Sequence, residues 1–258
     1  HGQMTPHPAT PTHQDATGWP RIRTVGVDGL LVSFGDRLTE PANRAALALR
    51  AAIEAEGWDG VEECSTSLVS AYVRFDTLWI GHSELQDHLR HLLDSRDWYN
   101  ADLPQGRRLW RIPTVYGTDL APQLSEAAQA AGMSEAEAIA SISGTRVRVQ
   151  TIGFAPGQPY LGELDAAWDI PRQKTLTDRV PEGALTVAIR QLVLFSVSTP
   201  TGWRHIGQTA FRLFRPEADT PFVLRPGDEV EFQQTTPEKL AVMRQDGPDG
   251  GATSEKIT

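Results

Sequence analysis

The sequence predicts an α+β fold in two unlike halves, and three observations predict it. The chain has 258 residues, enough for two domains with real cores. Up to Gly144, apolar residues recur at helical spacing between short β-prone runs. From Thr145 the period switches to alternation, and Gly/Pro turns cut the chain into many short strands.

Residues 1–18 are rich in Pro, Thr and His and have no apolar run, so they read as a tail and not as a secretory leader. His1-Gly2-Gln3 before Met4 reads as an expression remnant, and His1, His7 and His13 are not expected to form a metal site. Arg21 to Val27 and Leu30 to Phe34 are β-prone, with Asp28-Gly29 between them as a two-residue hairpin signal. Thr39 is the expected N-cap of a helix with Pro41 in its first turn. Ala45, Leu47, Leu49, Ala52 and Ile53 follow at helical spacing, and Gly57 ends it. Val61 to Ser67 and Leu68 to Phe75 read as strands. Ser83 and Gln86 read as a capping box for a helix carrying Leu85, Leu89, Leu92 and Leu93, with His82, His88 and His91 as solvated residues. Arg107 to Ile112 is a last strand. This order is the split βαβ pattern of a ferredoxin-like sandwich over residues 19–116.

Residues 117–144 read as a helical connector, with one helix over Asp119 to Ala131 and a second opened by Ser134 and Glu137. Residues 145–236 read as a barrel or sandwich. Its strands start with Val147 to Thr151 and continue with Leu185 to Ile189, Leu192 to Val197, Trp203 to Phe214, Phe222 to Leu224 and Glu229 to Phe232. Residues 237–258 read as a tail that frays.

Composition narrows the function classes. A net charge of −9 with no basic run disfavours nucleic acid and anionic membrane surfaces as partners. No apolar run nears the roughly 20 residues that span a bilayer. Cys64 is the only cysteine, which excludes an intrachain disulfide and fits the cytoplasm. No Gly-x-Ser-x-Gly elbow, Walker A loop, His-Glu-x-x-His or Cys-x-x-Cys is present. The chain therefore shares a site with a partner or acts as a binding protein.

The stretch Gly153 to Gly162 organises the second half. Pro156 and Pro159 fix φ, Gly157 admits φ above zero, and Phe154 and Tyr160 place aromatic surface on this rigid loop. Arg172, Arg179, Trp203, Arg204 and His205 follow on later segments and are expected to meet it at one mouth of the barrel. Guanidinium groups there would bind a carboxylate or phosphate, and His205 would move a proton.

This order of segments resembles the family that holds the B component of 5-oxoprolinase, KipI and allophanate hydrolase subunit 1. Gly153-Phe154-Ala155-Pro156-Gly157-Gln158-Pro159-Tyr160-Leu161-Gly162 carries the resemblance. So do Arg179-Val180-Pro181-Glu182-Gly183, Pro200-Thr201-Gly202-Trp203-Arg204-His205-Ile206-Gly207-Gln208-Thr209 and Leu224-Arg225-Pro226-Gly227-Asp228. The resemblance implies a cyclophilin-like β-barrel after the ferredoxin-like domain. It also implies an ATP-dependent amide or lactam hydrolase built with a homologous second subunit, of the type of the 5-oxoprolinase C component or allophanate hydrolase subunit 2, and in some cases a third. The substrate would be a small carboxylate-bearing molecule. On this reading His205 and Arg179 are catalytic, and Phe154, Pro156, Gly157, Tyr160, Arg172, Gln191, Trp203 and Arg204 bind substrate. One member of the family inhibits a sensor histidine kinase instead, so a non-catalytic inhibitor is the alternative.

The chain departs from the family pattern in four places. Gln158 stands where the pattern has Phe, and Glu163 where it has Gly. The segment after Tyr116 is shortened to Gly117-Thr118-Asp119-Leu120. Of a Gly-Gly-Gln-Thr-Gly turn only Gln191 remains, within Arg190 to Ser196.

Overall fold

The computed structural model describes residues 18–258, so the expectations for residues 1–17 lie outside the described residues. The chain divides into two compact units, ending and beginning at Pro104 and Gln105.

The first unit has the order β1 (Arg21–Val25), β2 (Gly29–Ser33), α1 (Glu40–Glu56), β3 (Val61–Thr66), β4 (Ser70–Phe75) and α2 (His82–Leu93). Its sheet runs β1-β2-β4-β3, antiparallel throughout. Alternate residues Leu30, Val32, Ala71, Val73 and Phe75 pack with Ala45, Leu49 and Ile53 of α1 and Leu85, Leu89 and Leu92 of α2. Both helices therefore cover one face of the sheet. Thr39 caps α1 by accepting from the Ala42 N–H, and Gly57 ends it in the left-handed region at φ 61°.

Four expectations need correction here. The hairpin turn is Gly26–Asp28, because Val25 pairs with Gly29. Gly29 itself lies in β2, where a Cβ would meet the Tyr72 ring at 2.7 Å. No Ser83 box forms, because the N-cap is the extended Gly81, two residues earlier, and α2 has no side-chain cap. Finally, Arg107 to Ile112 is not in this sheet. The edge place beside β2 is filled by β1, the first arm of the hairpin. His88 is also not simply solvated, since it stacks on Trp58 with centroids 5.3 Å apart.

The second unit begins with β5 (Arg108–Tyr116), α3 (Leu124–Ala130), α4 (Glu135–Ser143), β6 (Val147–Ile152), β7 (Pro159–Gly162) and β8 (Thr177–Val180). It continues with β9 (Ala184–Ala188), β10 (Gln191–Leu194), β11 (Thr199–Thr201), β12 (Arg204–Gln208), β13 (Glu229–Gln234), α5 (Pro237–Asp246) and β14 (Thr253–Lys256). One sheet runs β12-β9-β10-β7-β6-β13-β5-β14, and β12 also pairs with β5. That pairing closes the first seven strands of this order into a barrel and leaves β14 outside on β5. The strands β8 and β11 form a separate two-stranded ribbon.

Val147, Val149, Leu161, Leu185, Val187, Leu192, Leu194, Ile206, Val230 and Phe232 point into one core. Leu124, Ala127, Ala138 and Ile142 of α3 and α4 join the same core. The segment expected as a connector is thus part of the barrel unit, although the Ser134–Glu137 capping box forms as expected. α3 starts five residues later than expected, because Gly117 and Thr118 take φ of 70° and 61° and turn the chain first. Trp203 to Phe214 is strand only over β12, and Phe222 to Leu224 contributes one bridge, Phe214 to Phe222. The expected tail is ordered as well. Thr236 and Pro237 start α5, Leu240 packs on Val115 and Ala210, and β14 pairs along β5 from Arg108 to Arg111.

The β9–β10 turn is Ile189-Arg190, closed by the pair Ala188 to Gln191. Both residues are left-handed, at φ 44° and 61°. A two-residue hairpin of this kind is built for Asn or Gly, and a β-branched residue there is strained by about 1–2 kcal/mol. Hydrogen bonds from Ile189 N–H to Ile170 O (2.8 Å) and from Arg190 N–H to Trp168 O (2.9 Å) hold it. Replacing Ile189 with Asn should raise the unfolding free energy by about 1 kcal/mol. The check is a higher denaturant midpoint at unchanged slope; a lower midpoint would mean the Ile189 side chain stabilises more than its backbone strain costs.

Candidate functional site

A cleft of about 560 Å³ lies on the barrel unit. Its inner wall comes from strand alternation. Leu161, Leu192 and Leu194 face the core, so Tyr160 of β7, Val193 of β10 and the following Phe195 face the other way. They cluster with Val180 and Ala184, and Trp203 packs on them. Tyr160 and Trp203 lie parallel, 6° between planes and 6.3 Å between centroids.

The turn from Gly153 to Gln158 makes one rim. Gly153 N–H donates to Gln158 O at 3.0 Å, and Phe154 is left-handed at φ 67° and 79% exposed. Gly157 sits behind it at φ 72°, where a Cβ would come within 3.2 Å of Leu213 O. Arg172 to Leu176 and the Pro200 to Trp203 turn make the opposite rim, joined by Gln173 N–H to Gly202 O at 2.7 Å.

The Gln173 carboxamide is held on both ends. Its oxygen accepts from Gln123 Nε2 at 2.9 Å, and its nitrogen donates to Thr177 Oγ1 at 3.1 Å and to Trp203 O at 3.4 Å. Among the described residues no carboxylate lines the cleft. Arg172 does, and among the described residues it has neither an ion-pair nor a hydrogen-bond partner. An uncompensated guanidinium beside aromatic planes has the chemistry to take a small anion. Burial raises the Tyr160 pKa, so the phenol stays neutral and can donate.

The residues expected at one barrel mouth are therefore divided. Phe154, Tyr160, Arg172 and Trp203 line the cleft, which lies on the outer wall and not at a mouth. Pro156 is exposed on the turn and does not line it. Arg179, on β8, is exposed and donates to Ser198 O at 2.8 Å. Arg204 donates to Pro171 O at 2.8 Å and lies 3.7 Å from Glu126, so it clamps the chain instead of meeting a ligand. Gln191 is buried and donates to Gln150 Oε1 at 2.9 Å. Gly162 sits beside that pair, where a Cβ would meet the same oxygen at 3.0 Å. Arg190 pairs with Glu163 at 3.1 Å.

His205 is 4% exposed and does not line the cleft. Its Nε2 lies 3.0 Å from Gln208 Oε1. Gln208 Nε2 donates to Glu182 O and Thr209 O, so the Gln208 oxygen must face the ring and His205 Nε2 carries the proton. Burial holds its pKa below the ordinary 6.5. The unfolded chain then binds more protons in the window just below pH 6.5, and stability falls as pH falls through the folded value. His205→Gln should show a shallower loss of denaturant midpoint between pH 7 and pH 5 than the parent chain. An identical pH slope in the two proteins would remove His205 as a titrating group in that window.

Gln158 and Gln173, two amides of the cleft, were not among the expected binding residues. Gln158 was visible only as a departure from a pattern, and Gln173 only as the residue after Arg172.

Residues 20–224 match the carboxyltransferase domain, subdomain C and D. The chain belongs to that family. It is 31% identical over 219 residues to the B component of 5-oxoprolinase from Bacillus subtilis, covering 82% of this chain and 91% of that protein. The solved structure of TTHA0988 superposes with a TM-score of 0.67 at 30% identity over 84% of this chain, which spans 40% of that longer chain. The urea amidolyase of K. lactis shares the fold, with a TM-score of 0.67 at 17% identity over 91% of this chain and 16% of its own. The family agrees with the barrel closure and with the α+β class. Among the described residues, no helix is long and apolar enough to cross a membrane.

Proposed function

We propose that this chain is one subunit of an ATP-dependent amide or lactam hydrolase complex of the 5-oxoprolinase type, and that its cleft holds the small carboxylate substrate. The relative from Bacillus subtilis, named as one component of 5-oxoprolinase, supports the complex in general. The unpaired Arg172 beside the Tyr160–Trp203 stack supports the substrate class. Arg172 takes the carboxylate in a bidentate fork, and the Trp203 face covers the flat part of the substrate.

The cleft orients but does not carry out the chemistry. Its polar lining is arginine, tyrosine, threonine and glutamine, none of which is a base near neutral pH. A second subunit of homologous fold supplies the reacting groups, with a third subunit in some complexes. The cleft does not fit ATP, since a single arginine is too few donors for a triphosphate and no carboxylate there would hold magnesium. ATP belongs to the complex on this reading, at a site other than this cleft.

The test is reconstitution. Mixed with the second and third subunits, the chain should support ATP-dependent opening of 5-oxoproline to glutamate, and omission of this chain should abolish it. Absence of turnover, together with inhibition of a sensor histidine kinase by the chain alone, would replace this reading with the inhibitor one.

A further inference from the structure

Gln158 lines the cleft and is 1% exposed. Its Oε1 accepts the Ser196 backbone N–H at 3.1 Å. A backbone N–H can only donate, so the carboxamide cannot flip, and its Nε2 points away from Ser196 with two N–H donors. Among the described residues no acceptor meets that nitrogen, and it is not sealed off as a buried orphan. Its acceptor therefore comes from whatever enters the cleft. The backbone beneath is rigid as well. Gln158 N–H donates to Ala155 O at 3.1 Å, its carbonyl accepts from Gly153, and Pro159 fixes the next φ at the start of β7.

We infer that Gln158 is a second ligand anchor, and that the cleft selects a small carboxylate carrying a further carbonyl oxygen. The carboxylate sits on Arg172 and the carbonyl oxygen accepts from Gln158 Nε2. This rests on the reading of the cleft as a carboxylate site. A site built to hydrogen-bond an oxygen rejects the analogue lacking it, because the donor is then left unpaired.

The experiment is titration calorimetry of the full chain with 3-oxocyclopentanecarboxylate and cyclopentanecarboxylate, which differ by one acceptor oxygen. The parent chain should prefer the keto acid about tenfold, the value of one hydrogen bond. Gln158→Met removes the donor at similar volume. Gln158→Glu removes it while keeping the acceptor for Ser196. Both should bring the preference within about twofold, with Gln158→Met binding cyclopentanecarboxylate at least as tightly as the parent does. Equal affinity of the parent for the two acids, or a tenfold preference that survives both substitutions, overturns the inference while Arg172-dependent binding keeps the cleft reading. If neither acid binds in a way that Arg172→Gln abolishes, the cleft reading fails and takes this inference with it.

Discussion

Arg172→Gln is expected to lower kcat/KM of the assembled complex about 10- to 100-fold for a small carboxylate substrate. Hydrogen bonds to charged groups contribute about 1.5–3 kcal/mol, and each 1.4 kcal/mol is tenfold. The loss should fall on KM, because a carboxylate remote from the scissile bond is held equally in ground and transition states. Folding should be untouched, since Arg172 is exposed and no partner in the described residues loses a contact. That separation makes the variant informative: a change in turnover with an unchanged melting temperature is a ligand effect. Turnover within about twofold of the parent would move the carboxylate site off Arg172.

Trp168→Ala is expected to cost about 3–5 kcal/mol, the usual range for deleting a buried aromatic. Trp168 is fully buried in the barrel core. Its Nε1 donates to Ser141 Oγ of α4 at 3.0 Å, and its carbonyl accepts from Arg190 N–H at 2.9 Å. One residue thus joins α4 to the strained Ile189-Arg190 turn. Total stabilities of about 5–15 kcal/mol leave little after such a loss. The measurement is denaturant unfolding of the full chain, followed through the transition of residues 105–258. Trp168→Phe keeps about two-thirds of the ring atoms but loses the Ser141 bond and opens a smaller cavity, so it should fall about 1–3 kcal/mol below the parent. A cost under about 1 kcal/mol for the alanine variant would show that the cavity collapses around the missing ring.

Much of the fold was legible from local chemistry. Thr39 with Pro41, and Ser134 with Glu137, announce helices because caps act within one turn. The Arg108 to Tyr116 strand was legible as a strand but not as a barrel member. Its partners are Gly207–Gln208, Glu229–Gln234 and Thr253–Lys256, and nothing local encodes such distant pairings. The β14 residues Thr-Ser-Glu-Lys carry no apolar signal, since an outer edge strand needs none. Ala184–Ala188 is buried on both faces, which erases the period-two pattern that would have told inside from outside.

For the cleft, the segments were found and the facing was not. Adjacent residues in a strand point to opposite sides, so Trp203, Arg204 and His205 could not all reach one ligand. Gln158 stands out in the sequence only as a departure from a pattern and not as a binding residue, because a buried amide at a turn has no spacing to betray its role. Only its hydrogen bond to Ser196 gives it a direction.

The ring of strands also sets a timetable for synthesis. Arg108–Tyr116 is the first strand of its unit to leave the ribosome. Its neighbours are Gly207–Gln208, Glu229–Gln234 and Thr253–Lys256, all far later in the chain. At about 5–20 residues per second, on the order of ten seconds pass before the first of these emerges. Throughout that interval the nascent chain carries a nine-residue strand containing Leu109, Ile112 and Val115 with no sheet to join. The geometry that closes the barrel therefore also leaves the growing polypeptide with an unpaired apolar strand, the kind of segment most exposed to aggregation, until late in its synthesis.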